Sequence, residues 1–248
     1  MNARRRIVVT GAAKRVGRAI AIELARAGCD LDLTFHTSRD AMQATVCDAM
    51  TEASANGHAI DIRIHEVDLD NVAATHNLGL EIASQGPVAG VVHNASSYGT
   101  TSLDAVTADA VMSHFRVNAV APLFLTQALA PALRAAHGAV VLFSDIHVLG
   151  RPRRNMLAYS MSKAAATDLV ATLALELAPD VRVNAIAPGV IAWPVDAPND
   201  ERERYEARIP LARPGTPDDA ARCVRWLLFE ATYMTGETIR LDGGRWLR

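Results

Sequence analysis

Residues 6–28 read RIVVTGAAKRVGRAIAIELARAG, and three successive patterns in them define the first unit of the fold. A β-rich run from Arg6 to Thr10 predicts a strand, and a glycine turn follows it directly. The next residues predict a helix that ends at Gly28, with alanines that allow close packing on a sheet. The apolar positions of this helix recur every fourth residue: Val16, Ile20 and Leu24.

The same alternation of strand and helix patterns continues along the chain. The predicted strands are Arg6 to Thr10, Leu31 to Phe35, Ile60 to Val67, Val88 to His93, Ala139 to Phe143, Val181 to Ala187 and Thr238 to Leu241. With 248 residues, half of them hydrophobic, the chain fits one α/β domain better than two. We therefore predict a single domain over residues 1–248. Its fold is a Rossmann-type, doubly wound parallel sheet of about seven strands with helices on both faces.

Charge and composition exclude several classes of function. The net charge is −2, from 25 basic and 27 acidic residues spread along the chain, so neither nucleic acid nor an anionic membrane is an expected partner. No signal peptide or membrane span is recognisable, and we expect a cytoplasmic protein. The three cysteines and eight histidines are scattered, so neither a disulfide framework nor a metal site is predicted.

The glycine turn after the first strand is typical of a nucleotide-binding site. Gly11 and Gly17 allow close backbone approach, and the helix N-terminus offers N–H groups to a pyrophosphate. Arg15 stands where the usual fingerprint has another glycine, so an ordinary helix-start loop stays an alternative. The residues of this turn expected at the cofactor are Gly11, Lys14, Arg15, Val16 and Gly17.

The second strand ends without the acidic residue that would bind the ribose hydroxyls of NAD. His36, Thr37 and Ser38 follow it, and Lys14 and Arg15 add positive charge, which suits a 2′-phosphate. NADPH is therefore the predicted cofactor. The alternative is a polar turn in which Thr37 or Ser38 caps the next helix.

Other strand ends carry further candidates for the cofactor site. Strand three is followed by Asp68 and Leu69, which are expected at the cofactor. Asp68 is placed to accept a hydrogen bond from an adenine amino group, while Asp70 is a candidate helix cap. Small residues after strands four and six let a ribose or nicotinamide lie close to the backbone. These residues are Asn94, Ala95, Ser96, Pro188, Gly189 and Val190. His93 is interpreted as a structural histidine, and Asp32, inside strand two, needs a partner or an exposed edge.

Tyr159 and Lys163 lie one helical turn apart and predict a proton donor beside a cation. A tyrosine has a pKa of roughly 10, so a neighbouring cation that favours phenolate would tune it for proton exchange. Asp145, at the end of strand five, would either stay protonated if desolvated or orient the phenol if ionised.

The motifs along essentially the whole chain resemble those of the short-chain dehydrogenases/reductases. The matching elements are the glycine turn, Asn94-Ala95, Asn118, Tyr159 with Lys163, Pro188-Gly189 and Leu241-Asp242-Gly243-Gly244. Within that family the chain is most similar to the pteridine reductases, in particular the bacterial dihydromonapterin reductases. Four features carry this similarity: Arg15 in the glycine turn, the run from Asn94 to Tyr98, Asp145 in place of a serine, and the ending Gly243 to Arg248.

The resemblance implies a reaction and a role for each matching residue. A hydride would move from NADPH to a C=N bond of a dihydropterin, and Tyr159 would deliver the proton. Lys163 would hold the nicotinamide ribose and lower the pKa of the phenol, while Asn118 would anchor a water that links Lys163 to solvent. Asp145 would assist Tyr159, although Ser144 competes for this role because the spacing to Tyr159 is one residue longer than in the family. The residues expected at the substrate are Arg15, Ser96, Tyr98, Asp145, Tyr159 and Trp193.

The segment at about 190–214 follows the sixth strand directly and is the predicted substrate lid. Trp193 would either close over the substrate or only pack the loop.

The resemblance also implies a homotetramer, with Arg248 a candidate contributor to a neighbouring site. The leading hypothesis is a dihydropterin reductase that acts on dihydromonapterin, with dihydrofolate as a weaker substrate. The alternatives are a general ketone or 3-oxoacyl reductase and, in another class, a non-catalytic protein that senses NADPH.

Overall fold

The computed structural model describes residues 4–191, 193 and 198–248. The strands are β1 Arg6–Val9, β2 Asp30–Phe35, β3 Ile62–Glu66, β4 Gly90–His93, β5 Ala139–Phe143, β6 Arg182–Pro188 and β7 Thr238–Leu241. The α-helices are α1 Arg15–Arg26, α2 Arg39–Ala55, α3 Val72–Ser84, α4 Ala108–Phe115, α5 Ala121–Ala135, α6 Leu157–Leu177, α7 Asn199–Glu206 and α8 Pro217–Phe229. A π-helical segment, Arg116–Val120, joins α4 to α5, and short 3₁₀ turns lie at Leu103–Ala105, Ile146–Leu149 and Arg245–Leu247.

Within the described residues the strands form one parallel sheet in the order β3-β2-β1-β4-β5-β6-β7. The order reverses between β1 and β4, and in such sheets ligands bind beyond the carboxyl ends of the strands at this point. The predicted fold class is therefore confirmed. Strand bounds differ by one or two residues; for example, β4 begins at Gly90 because the Val88 amide bonds to Ala132 O at 3.1 Å instead of pairing with a strand.

The core has two layers, one on each face of the sheet. Ile7 and Val9 of β1 lie in the cluster that includes apolar residues of α1, α2 and α8. Val8, between them, lies in the opposite cluster with residues of α3, α5 and α6. Because successive strand residues point to opposite faces, this division shows that β1 is covered on both sides and holds the glycine turn in a fixed position.

Asp32 is fully buried in β2 and has the partners that its burial requires. Arg6 Nε lies 2.7 Å from one carboxylate oxygen, and His65 Nε2 lies 2.9 Å from the other. Burial opposes the charge, but the hydrogen bonds and charges of His65 and Arg6 leave the pKa of Asp32 below its usual value. This carboxylate therefore joins β2 to Arg6 of β1 and His65 of β3 and contributes to the structure of the sheet.

Candidate active site

A cavity of about 790 Å³ opens beyond the carboxyl ends of β1, β4, β5 and β6. It lies at the point where the strand order reverses, and its volume falls within the usual range for a small-molecule site. Sixteen of the residues predicted at the cofactor or the substrate line it: Gly11, Lys14, Arg15, Val16, Gly17, Asn94, Ala95, Ser96, Tyr98, Asp145, Tyr159, Lys163, Pro188, Gly189, Val190 and Trp193.

The glycine turn is packed too closely for larger residues. A Cβ on Gly17 would lie 2.1 Å from Gly11 O and 2.6 Å from Asn94 Nδ2. The Asn94 side chain donates hydrogen bonds to Thr10 O at 2.9 Å and to Gly11 O at 3.0 Å. Asn94 therefore fixes the turn from the neighbouring strand end, which is a structural contribution that the cofactor prediction did not include.

Arg15 begins α1 in a conformation that glycine usually adopts. Its φ is +51°, in the left-handed region. The backbone at this position thus has the conformation of the usual fingerprint glycine, although the residue is an arginine. An exposed arginine side chain is thereby placed at the cavity next to exposed Lys14.

The N-terminus of α1 has the properties of a phosphate site. Lys14 occupies the N-cap position and makes no side-chain hydrogen bond to the helix. The first amides of a helix have no partner within it, and they lie at its positive end. The turn, the helix end and the two basic residues therefore fit the pyrophosphate of a dinucleotide.

A hydrogen bond joins Asp145 and Tyr159 at the cavity. The Tyr159 hydroxyl donates a hydrogen bond of 2.8 Å to Asp145 Oδ2, and the backbone N–H of His147 donates one of 2.8 Å to Oδ1. Asp145 caps the 3₁₀ turn Ile146–Leu149, which fixes the carboxylate. The Tyr98 ring lies edge to face with Tyr159, at 5.0 Å between ring centroids.

Ser144, the competing partner, is buried and bonds to Thr167 Oγ1 on α6. Ser144 also lines the cavity, but its hydroxyl hydrogen-bonds to Thr167 and not to Tyr159. Asp145 is confirmed as the residue that hydrogen-bonds to Tyr159.

The pKa of Tyr159 moves in the direction opposite to the prediction. Burial raises this pKa above its usual value, and the Asp145 carboxylate raises it further by its charge and its hydrogen bond. Burial and Asp145 outweigh any lowering by Lys163, so the net shift is opposite to the predicted one. A phenol in this environment is held in its protonated form.

Lys163 is buried at the floor of the cavity. Its Nζ donates a hydrogen bond of 2.7 Å to Phe143 O. Burial lowers the pKa of Lys163 to about 8, and the charge of Asp145 opposes that shift. The side chain is therefore still mainly protonated near neutral pH and keeps further N–H groups for a ligand.

Asn118 lies in the π-helical segment, behind the cavity wall. Its Nδ2 donates to Ser97 O and to Ser162 Oγ, both at 2.9 Å, and its Oδ1 accepts from the Ser97 amide at 2.8 Å. A π-helical turn is a frequent feature of functional sites because it redirects side chains. These contacts join Asn118 to the β4 end and to α6, and the water that would connect it to Lys163 stays a prediction.

The residues after β2 and β3 lie outside the cavity lining. These are His36, Thr37, Ser38, Asp68 and Leu69. Ser38 occupies the N-cap position of α2 but makes no side-chain cap, and Leu69 packs partly buried against the core. The α3 cap is Asn71, which accepts from the Ala74 amide at 3.0 Å, so the suggestion that Asp70 caps this helix is wrong. Asp70 instead accepts two hydrogen bonds from Arg116.

The described part of the predicted lid packs against the cavity. Trp193 Nε1 donates to Glu206 Oε1 at 2.8 Å, and the indole lies edge to face with Tyr205 at 5.4 Å. Trp193 thus both lines the cavity and packs the loop. Residues 192 and 194–197 of the lid lie outside the described residues.

Several lining residues were not identified from the sequence. They are Thr100, Phe143, His147, Arg153, Ile191, Pro198 and Tyr205. His147 and Arg153 follow β5 within the loop that leads to Tyr159, and that position was their only local signal. Tyr205 lies on α7 and reaches the cavity through tertiary packing.

The C-terminal residues contact the loop after β5 within the same chain. Arg248 O accepts hydrogen bonds from Arg245, at 2.6 Å, and from Arg151. The role of Arg248 in a neighbouring subunit stays a prediction.

None of the helices in residues 4–191 and 198–248 has the length and apolarity to cross a membrane. Over the same residues, the His, Cys, Asp and Glu side chains form no cluster suited to a metal.

Comparisons with known proteins agree with this geometry. Residues 11–245 match the family described as enoyl-(acyl carrier protein) reductase. The chain is 32% identical to an oxidoreductase of Mycobacterium tuberculosis, over 96% of this chain and 90% of that protein. It is 30% identical to the 3-oxoacyl-[acyl-carrier-protein] reductase FabG of Aquifex aeolicus, over 96% and 95%.

A solved structure shows the same fold. The acetoin dehydrogenase YohF of Salmonella typhimurium superposes with a TM-score of 0.85 at 27% identity, over 99% of this chain and 97% of that one. The family match covers both the glycine turn and the hydrogen-bonded pair Asp145 and Tyr159. The chain therefore belongs to the short-chain dehydrogenase/reductase family of oxidoreductases, which use nicotinamide cofactors.

Proposed function

We propose that this protein is an NADPH-dependent reductase that converts a dihydropterin to its tetrahydro form, with Tyr159 as the proton donor. The observation that carries the proposal is the hydrogen bond of 2.8 Å between Tyr159 and Asp145, beside the ring of Tyr98. A dihydromonapterin-like compound is the expected substrate, and dihydrofolate is a candidate weaker one. A flat heteroaromatic ring suits a cavity wall that carries Tyr98.

Two groups of residues would hold the cofactor. The glycine turn and the N-terminus of α1 would bind the pyrophosphate, and Lys163 and the end of β6 would bind the nicotinamide end. When bound, NADPH supplies the hydride. We propose NADPH over NADH because Lys14 and Arg15 are exposed at the cavity and no acid directly follows β2. Arg39, which also follows β2, pairs with Glu66.

The raised pKa of Tyr159 constrains the proton transfer. A phenol whose pKa is raised by burial and by Asp145 gives up its proton only to a strong base. A ring nitrogen becomes such a base as its C=N bond takes up a hydride, so the proton and the hydride would arrive together. Asp145 holds the hydroxyl in place, and the positive charge of buried Lys163 favours the phenolate that remains.

Asp145 also favours a substrate with N–H groups. Each of its oxygens accepts one hydrogen bond in the structure, while a carboxylate has about four lone-pair sites. The remaining capacity suits a pterin, which carries amino and ring N–H groups, and offers nothing to a simple ketone. The competing candidate is a general ketone or 3-oxoacyl reductase, which the name of the Aquifex aeolicus relative favours.

A substrate panel tests the proposal. Purified protein is mixed with NADPH and, in parallel, dihydromonapterin, dihydrobiopterin, dihydrofolate and an acetoacetyl thioester, and the loss of NADPH absorbance is followed. We expect rapid turnover of a dihydropterin and weaker turnover with NADH. Turnover of the thioester alone would support the competing candidate. Tight NADPH binding without any turnover would support a sensor.

A cytoplasmic homotetramer is part of the same proposal. Large apolar side chains are exposed on α4 and α6, among them Met112, Met161 and Leu175. A second copy of the chain would cover such surfaces. Light scattering on the purified protein measures the assembly directly.

A further inference from the structure

His147 lies at the cavity two residues after Asp145, and no step of the proposed reaction uses its ring. The backbone N–H of His147 donates a hydrogen bond of 2.8 Å to Asp145 Oδ1. This bond fixes the position of His147 relative to Asp145 and Tyr159. The side chain is half-buried and lines the cavity. The ring is therefore available to a ligand bound next to Tyr159.

The contacts of the ring define its tautomer. His147 Nδ1 lies 2.8 Å from Arg151 O, and because a carbonyl oxygen only accepts, Nδ1 carries the proton. Within the described part of the chain Nε2 makes no hydrogen bond. In the neutral ring Nε2 is then an acceptor with a free lone pair.

The burial of the ring favours its neutral form. Burial lowers the pKa of His147, the Asp145 charge and the hydrogen bond to Arg151 O oppose this shift, and the Arg153 and Arg245 guanidinium groups add to it. Arg153 also acts on the pKa of Tyr159, which places its charge in the same part of the cavity. A cation at this position disfavours protonation of the imidazole at neutral pH.

We propose that His147 is a specificity-determining residue whose Nε2 accepts a hydrogen bond from an N–H or O–H group of the substrate. The identity of that substrate rests on the proposed function, since a dihydropterin carries several N–H groups. With Asp145, His147 would give the cavity two acceptors for the hydrogen-bond donors of a heterocycle. A site that pairs with such donors rejects analogues that lack them.

Two matched variants separate recognition from structure. In His147→Asn the amide can still donate to Arg151 O, but no acceptor remains at the Nε2 position. In His147→Gln an acceptor reaches approximately that position, but the bond to Arg151 O is lost. We expect His147→Asn to raise the KM for the dihydropterin about tenfold with kcat within about twofold, and His147→Gln to restore most of the loss. The opposite order, with Asn harmless and Gln harmful, would show a purely structural role and overturn the proposal.

A methylated substrate tests the same hydrogen bond from the ligand side. For the wild type, a dihydropterin methylated at its amino and ring N–H groups should have a KM about tenfold higher than the parent compound. For His147→Asn the ratio of the two KM values should be smaller than for the wild type, because the His147 acceptor is already absent while the Asp145 acceptor is present in both proteins. An unchanged ratio in the variant would overturn the proposal.

The pH dependence of KM and the tautomer of His147 in the ligand-free protein are two further measurements. Protonation turns Nε2 into a donor, so the wild-type KM should rise on acidification, whereas the KM of His147→Gln should not. If the wild type turns over no dihydropterin, the proposed function fails, and the tautomer is still testable by ¹⁵N NMR of the free protein. A signal from the Nδ1–H tautomer is expected; an Nε2–H tautomer would overturn the assignment of the acceptor.

Discussion

The Tyr159 hydroxyl and the Asp145 carboxylate share a hydrogen bond of 2.8 Å at the end of β5. Both groups are held by secondary structure, since Asp145 caps a 3₁₀ turn and Tyr159 lies in the first turn of α6. The carboxylate acts on the phenol in two ways. It orients the hydroxyl, and it raises the pKa of the phenol by its charge.

Replacing Asp145 by serine tests both effects. Asp145→Ser removes the charge, so the pKa of Tyr159 should fall, and dihydropterin turnover should drop about 100-fold because the hydroxyl is no longer oriented. Steady-state kinetics and ¹³C-tyrosine NMR measure these quantities. Ser144→Ala is the matched control, since Ser144 bonds to Thr167 and should leave turnover within about twofold. Undiminished pterin turnover in Asp145→Ser would contradict the assigned role.

The fold could be predicted because its signals are local. Buried strands read as apolar runs, and the Gly11 to Gly17 turn marks the entry to α1. The site was predicted where residues directly follow a strand, as at Asn94, Asp145 and Gly189. His147 and Tyr205 were not identified, because they reach the cavity only through the packing of loops and helices that no local pattern encodes.

The direction of the pKa shift of Tyr159 also could not be predicted. The sequence shows that Lys163 is one turn away, but a pKa depends on burial and on the distance to every charge. In the structure Lys163 bonds to Phe143 O, while Asp145 contacts the phenol directly. The helix spacing was predicted correctly, but burial and the contact with Asp145 determine the direction of the pKa shift of Tyr159.

Gly17→Ala should destabilise the protein and weaken NADPH binding. The added Cβ would lie 2.1 Å from Gly11 O, so the turn or α1 must shift, at a cost of about 2 kcal/mol or more. Thermal unfolding and NADPH titration measure the two effects. Gly215→Ala is the control, because its Cβ would meet its nearest neighbour at an ordinary 3.6 Å. Equal stability of the two variants would show that the turn accommodates a Cβ at residue 17 without a shift of the backbone.

Arg15 allows a test in which the usual order of alanine and glycine reverses. In most helix positions alanine is more stable than glycine by about 1 kcal/mol. At φ +51° the order should invert, with Arg15→Gly more stable than Arg15→Ala by about 1 kcal/mol. Both variants lose the guanidinium, so both should bind NADPH and substrate more weakly than the wild type. A more stable alanine variant in chemical denaturation would argue against the left-handed backbone.

Thr37→Asp should shift the cofactor preference. Thr37 is exposed after β2, and a carboxylate there would repel a 2′-phosphate but not a ribose hydroxyl. We expect the KM for NADPH to rise about tenfold and that for NADH to change less than about twofold. Thr232→Asp carries the same charge change beyond the end of α8, where Phe229 contacts Arg5 just before the amino end of β1. Equal effects of both variants would exclude a local contact with the phosphate.

Lys163 should produce opposite pH dependences in activity and stability. Burial lowers its pKa from an ordinary 10.5 to about 8, so kcat/KM should fall above about pH 8 as the charge is lost. Between these two values the unfolded chain binds the proton more tightly than the folded one, so the free energy of unfolding contributed by Lys163 rises with pH. Relative to Lys163→Met, the wild type should therefore gain stability from pH 8 to pH 10.5. Denaturant unfolding at several pH values measures this difference.

The sequence makes the underlying pKa directly measurable. The chain contains two lysines, Lys14 and Lys163, so ¹³C labelling of the lysine side chains gives two NMR signals. Lys14→Arg removes one of them and assigns the other. The remaining signal should titrate near pH 8. A titration near pH 10.5 would mean that the ammonium is solvated, and both predicted pH dependences would then be absent.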